Sequence, residues 1–155
     1  MAQVIHRRRS RIAAVFLLST SLLLSGIATD HARAGVIARD RSEMLQLTNE
    51  ARVHKHRDPL ALDLELSRYA LRHSRAMAAR GELFHSDDLA AALQGLDWSM
   101  GGENVGVGSS LIGIQSAFMG SNLHRRNILS DEFDHTAIGV VQSDGKLWVT
   151  VIFYG

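Results

Sequence analysis

Three short stretches of this 155-residue chain set ionisable side chains among small or hydrogen-bonding neighbours. They are His85-Ser86, Gly102-Glu103-Asn104 and Ser121-Asn122-Leu123-His124-Arg125-Arg126-Asn127. Two imidazoles and a carboxylate can hold a divalent cation, move a proton, or hydrogen-bond one another. Each stretch alone has an ordinary reading. A histidine following a helix is more often a structural residue, and a glutamate among glycines commonly accepts from backbone N–H groups. Nucleophilic chemistry has little support, since neither Gly-x-Ser-x-Gly nor His-Glu-x-x-His occurs, and Ser86 beside His85 is adjacency rather than triad geometry. The chain has no cysteine, which removes thiol nucleophiles, thiolate metal sites and disulfides together.

The elements that must position these residues are readable from periodicity and punctuation. Ser42 is placed to N-cap a helix with an apolar stripe through Met44, Leu45, Leu47 and Ala51, following a short lead-in over Gly35–Arg41. Pro59 biases Asp58 away from helix. Asp63 is a good N-cap for a second helix burying Leu66, Ala70, His73 or Ser74, and Met77, and Gly81 is a C-cap. Residues 82–108, rich in glycine, read as a long irregular connection. Ser109 or Ser110 begins a third helix with Leu111, Ile114, Ala117 and Phe118 on one face, and residues 121–130 read as a polar, turn-rich segment. Two β-rich runs, Thr136–Val141 and Leu147–Phe153, flank Asp144-Gly145, a strong hairpin signal. Helices first and a terminal hairpin give an α+β class.

The first 34 residues differ in kind from the rest. Arg7, Arg8, Arg9 and Arg11 precede the uncharged run Ile12–Ala28, and Ala32-Arg33-Ala34 has the small-x-small form that a signal peptidase reads. Ser19, Ser21 and Ser25 dilute the run, which is near the lower length limit for a bilayer span of roughly 17 residues. The expectation is a signal peptide over 1–34, cut after Ala34, and one domain over 35–155 with no stable membrane span. Removing the leader takes five arginines and one aspartate, so 17 basic and 16 acidic residues become 12 and 15. The full chain's basic balance thus belongs to the leader, and no basic patch in the remainder argues for nucleic acid. His54 and His56 lie in a charged turn and read as solvated, while His73, Trp98 and Trp148 read as packing residues.

Taken in order, the motifs resemble the CAP superfamily of cysteine-rich secretory proteins, antigen 5 and pathogenesis-related 1 proteins, in its bacterial, cysteine-free branch. They run Leu47-x-Asn49-x-x-Arg52, Pro59-Leu60, His85-Ser86, Gly102-Glu103-Asn104, Ser121-x-x-His124-Arg125-x-Asn127-Ile128-Leu129, Ile138-Gly139-Val140 and Val151-x-Phe153. The resemblance spans Ser42–Gly155 and implies an α-β-α sandwich with a central antiparallel sheet and an open cleft. In the family two histidines and two glutamates line that cleft, and in several members they hold zinc. His85 matches the first histidine, Glu103 the Gly-Glu-Asn glutamate, and His124 the second histidine, with His135 as a competing match. Asn104 and Arg125 belong to the same cleft by their motifs. No second glutamate is matched; Ser121 stands where a carboxylate is expected, Phe118 replaces the family's tryptophan, and Arg57-Asp58 replaces its Gly-Leu. The implied zinc site therefore has three protein ligands, His85, Glu103 and His124, and binds weakly or, lacking a fourth protein ligand, not at all.

The resemblance implies a secreted or envelope-located binding module for an extracellular ligand, a lipid or other small molecule, whose cleft holds these residues. Two other classes stand beside it: a metal-assisted hydrolase with Glu103 as general base, and a structural cell-envelope domain in which the His/Glu set only stiffens a loop.

Overall fold

The computed structural model describes residues 12–155, with side chains described from residue 29 onward. The basic run Arg7–Arg11 lies outside the described residues. The first helix, α1, spans Ile12–His54. Compact units divide between Val36 and Ile37, and everything below concerns Ile37–Gly155. No helix among the described residues is long and apolar enough to cross a membrane.

After α1 come β1 (Ala61–Leu62), α2 (Leu64–Arg80), α3 (Leu89–Ala92), β2 (Gly101–Gly108), α4 (Leu111–Gly120), α5 (Asn122–Leu129), β3 (His135–Ser143) and β4 (Lys146–Tyr154). The four strands form one sheet in the order β1-β3-β4-β2. The β3–β4 hairpin turns through Asp144 and Gly145, both at positive φ, as a two-residue primed turn requires. β2 is antiparallel to β4, from Gly101 opposite Tyr154 to Gly108 opposite Leu147. The short β1, not anticipated, lies parallel to β3, so the sheet is mixed rather than purely antiparallel.

Alternation along β4 sorts the core into two layers. Val149, Val151 and Phe153 face Met44 of α1, Leu111, Ile114 and Phe118 of α4, and Ile128 of α5. Ile152 and Tyr154 face Leu66 and Ala70 of α2, while Trp148 meets Met77 and Val105. Helices thus cover both faces of the sheet, giving the expected α-β-α sandwich. Asp63 caps α2 by accepting from the Leu66 N–H, and Gly81 ends it at φ 67°. Both His73 and Ser74 are buried on its inner face.

Three expectations are corrected. Ser42 does not begin a helix: α1 runs through Gly35–Arg41, and the Ser42 hydroxyl donates back to the Ala38 carbonyl at 2.9 Å. A single glycine costs a helix only about 1 kcal/mol, too little to stop it among good helix formers. The glycine-rich stretch is not a loop throughout but ends in β2, because its glycines admit neighbouring side chains. A Cβ at Gly106 would sit 2.9 Å from the Phe118 ring. Residues 122–129, read as a turn, form α5.

α2 lies unusually close to β3. Beyond Leu62 the neighbouring strand is missing from that edge of β3, and serines of α2 stand in for it. The Ile138 N–H donates to Ser67 Oγ at 3.1 Å, and Ser74 Oγ donates to the Gly139 carbonyl at 3.0 Å. Only a glycine fits there, since a Cβ at 139 would lie 2.2 Å from the Ala70 carbonyl carbon. Gly139→Ala is expected to destabilise the domain by about 3 kcal/mol, because backbone rather than a flexible side chain must yield. A urea midpoint unchanged from the parent would refute this account of the α2–β3 contact.

Candidate functional site

The loop after α2 is fixed at Phe84. His73 Nε2 lies 2.9 Å from the Phe84 carbonyl, and the two rings meet edge-on at 5.0 Å. The Arg80 guanidinium lies over the Phe84 ring, 4.5 Å from its centroid. His85 follows on the outer side, with 63% of its side chain exposed, whereas only 5% of the Glu103 side chain is.

Glu103, on β2, gathers this loop onto the sheet. Its Oε1 accepts from the Ser86 N–H at 2.9 Å and from His85 Nδ1 at 2.7 Å, and its Oε2 accepts from the Ser86 hydroxyl at 2.5 Å. A carboxylate with three such donors is a committed acceptor. As an acceptor it selects Nδ1 as a donor, so in the neutral form of the ring Nε2 carries the lone pair.

Asn104 is fully buried and joins β2 to α5. Its Nδ2 donates to the His124 carbonyl at 3.0 Å, and its Oδ1 accepts from Asn127 Nδ2 at 2.9 Å. Asn127 Nδ2 also donates to the Glu103 carbonyl at 3.2 Å. These bonds bring His124 into the neighbourhood of His85. The His124 ring lies against Phe118, centroids 5.1 Å apart, and its Nδ1 is buried with no hydrogen-bond partner. Burial, and secondarily the charge of His85, hold its pKa below the ordinary histidine value.

His85, Glu103, Asn104, His124, Arg126 and Asn127 line one open cavity of about 430 Å³, with Met100, Leu123 and Phe133 supplying apolar wall. Four of the five cleft residues expected from sequence are therefore brought together. Arg125 is the exception: it points to a neighbouring cavity, donating to the Met119 carbonyl at 2.9 Å and to Asn122 Oδ1. Its place is taken by Arg126, one helical step on. His135 is elsewhere too, at the start of β3, paired with Asp134 and stacked on Tyr154 in a separate small cavity. Asn127 and the clamping role of Ser86 were not singled out from sequence, although both lie inside quoted motifs. Ser121, standing where a carboxylate was expected, is instead the joint between α4 and α5: its N–H bonds to the Ala117 and Phe118 carbonyls, and its own carbonyl accepts from the Arg125 N–H.

With this geometry the comparison with known proteins is direct. The model of the cysteine-rich secretory protein family, CAP, matches residues 45–153. The chain belongs to that family. It is 30% identical over 128 residues to the uncharacterized protein YkwD of Bacillus subtilis, covering 77% of this chain and 49% of that one. It thus spans about half the length of that relative. Among solved structures, an extracellular protein containing an SCP domain from Bacillus anthracis superposes with a TM-score of 0.68 at 22% identity, over 77% of this chain and 41% of that one. An outer surface protein of Borrelia burgdorferi does so with 0.67 at 16% identity, over 75% and 92%. At those identities the likeness is one of fold.

The CAP fold carries an expectation of zinc, and the side chains present do not fit it. Among the described residues no three His, Cys, Asp or Glu side chains are grouped to hold a metal ion. Glu103 is occupied by Ser86 and serves as the orienting partner of His85 rather than as a free donor.

Two outcomes follow from this arrangement. Glu103→Ala is expected to destabilise the domain by about 1–3 kcal/mol, since the Ser86 N–H and hydroxyl lose their acceptor. Equilibrium urea unfolding measures it, and Glu103→Gln should recover part of the loss. The depressed pKa of His124 means the unfolded chain binds its proton more readily than the folded one. Its contribution to stability is therefore whole above the unfolded value of about 6.5 and declines as the pH falls below it. Comparing urea midpoints at pH 7.5 and 5.5, the acid-side loss should shrink in His124→Phe; an equal loss in both proteins would exclude His124 as its source.

Proposed function

We propose that this CAP domain is an exported binding module, released by cleavage after Ala34, that takes a small extracellular ligand into the His85–His124 cavity. The observation that carries the reading is the lining itself. The outward Nε2 of His85 and the Arg126 guanidinium offer one acceptor and several donors beside Met100, Leu123 and Phe133. A mixed wall of this kind suits a ligand with a polar head and an apolar body, which includes lipids. The volume is within the usual range for small-molecule sites, roughly 300–1,000 Å³. Relatives described as extracellular and outer-surface proteins support the location outside the cell.

The chemistry of the cavity favours binding over hydrolysis. The hydroxyl of Ser86, next to His85, gives its proton to Glu103 rather than to an imidazole. The carboxylate that a metal-assisted hydrolase would use as general base is held in three hydrogen bonds.

The test is native mass spectrometry of the exported protein. A mass beginning at Gly35, with a small molecule that leaves on denaturation and is absent from His124→Trp, is the expected result. A protein free of ligand, or ligand retained equally by the blocked variant, overturns the reading. Turnover of a nitrophenyl ester that is lost in Glu103→Gln would replace it with the hydrolase.

A further inference from the structure

A second cavity, of about 660 Å³, adjoins the first and shares Arg126 and Ser130 with it. Its wall carries three guanidinium groups, those of Arg57, Arg125 and Arg126, against one carboxylate, Asp131. Asp131 is already paired with Arg57. Arg125 holds only a carbonyl and an amide oxygen, so its charge is not neutralised. The Arg126 side chain makes no hydrogen bond or ion pair with any described residue. Two positive charges are thus left uncompensated on one concave surface of a domain whose overall balance, from Gly35 onward, is negative.

From this arrangement we infer that the arginine-lined cavity is a binding site for a phosphate monoester or diester. The donor geometry selects phosphate over carboxylate. One guanidinium fork satisfies a planar carboxylate, whereas a tetrahedral phosphate presents oxygens in several directions and accepts from separate side chains. The separate donors are present. Asn122 uses its Oδ1 toward Arg125, which leaves its amide N–H groups free. Ser130 Oγ accepts from the Glu132 N–H at 3.2 Å, which leaves its proton to give. The cavity exceeds a phosphate group severalfold, so the ester's organic part fits beside it, against Leu129. The site stands on α5 and its flanks and shares the Arg126 guanidinium with the first cavity, whereas Arg57, Asn122 and Arg125 line this cavity alone.

A soluble ester and a lipid headgroup both present such a phosphate, and two arms separate them. In the first, α5 amide resonances of the exported protein are followed during titration with glycerol 3-phosphate, with acetate as control. In the second, the protein is sedimented with phosphatidylglycerol vesicles, with phosphatidylcholine as control. The expected result is saturable binding in at least one arm, weakened about fivefold or more in Arg126→Gln, as loss of a charge-assisted hydrogen-bond donor implies. His124→Phe should bind within about twofold of the parent, which keeps this site distinct from the first cavity. Binding by vesicles alone identifies the lipid headgroup as the source. Acetate shifting the same resonances equally, Arg126→Gln binding like the parent, or no binding in either arm would overturn the proposal.

Discussion

The guanidinium of Arg52, near the end of α1, donates to the carbonyls of Asp58 at 2.6 Å, Ile128 at 2.8 Å, Ser130 at 2.9 Å and Phe133 at 3.2 Å. It is 2% exposed, and burial lowers its pKa, with Asp131 acting in the opposite sense. A buried charge of this kind persists only when its donors are met. Two of the acceptors, the carbonyls of Ile128 and Ser130, lie at the end of α5, where the last turn of a helix lacks intrahelical partners. The Phe133 carbonyl lies on the approach to β3 and that of Asp58 between α1 and β1, so one side chain ties the end of α5 to both. His124, Arg126 and Asn127 inherit their positions from it. The planar five-donor fork is what makes four separate carbonyls reachable at once, and an ammonium group would not reproduce it.

The two histidines of the first cavity show how backbone placement divides identical side chains into different roles. His85 sits on a loop, largely in solvent, with a carboxylate fixing its tautomer. His124 sits on a helix against Phe118, with one nitrogen enclosed and unbonded. The first is presented outward by its partner; the second has its neutral form favoured by its surroundings. The asymmetry comes from Glu103, whose nearly enclosed carboxylate bonds to His85 and Ser86 and not to His124.

Where local chemistry decides structure, the sequence was legible. Asp63 and Gly81 bound α2, Ser110 caps α4 and Asp144-Gly145 turns the hairpin, because caps and primed turns are settled within a few residues. The convergence of His85, Glu103, Asn104 and His124 was implied by the family resemblance that their motifs carry, not by their spacing. What was not legible depends on distant partners. Glycines at 101–108 read as loop because the side chains that fill their space, such as Phe118 over Gly106, come from other elements. The His124-Arg125 motif points to Arg125, and a turn-like reading of residues 121–130 offers no facing to set against it. Adjacent residues on a helix point about 100° apart, so without the helix its facing could not be assigned. Ser42 misled for a related reason: a hydroxyl that can cap can equally bond back one turn within a continuing helix.

The amide of Asn127 has a consequence beyond the cavity. β2 is an outer strand of the sheet, paired only with β4, and such strands offer unpaired backbone groups to other chains. By donating to the Glu103 carbonyl, Asn127 occupies one of those groups and keeps α5 lying along the strand. The wall that frames the cavity is thereby also a guard on the sheet's margin. A chain that loosened α5 to admit a larger guest would uncover a template for self-association, so recognition and colloidal behaviour are tied to the same side chain.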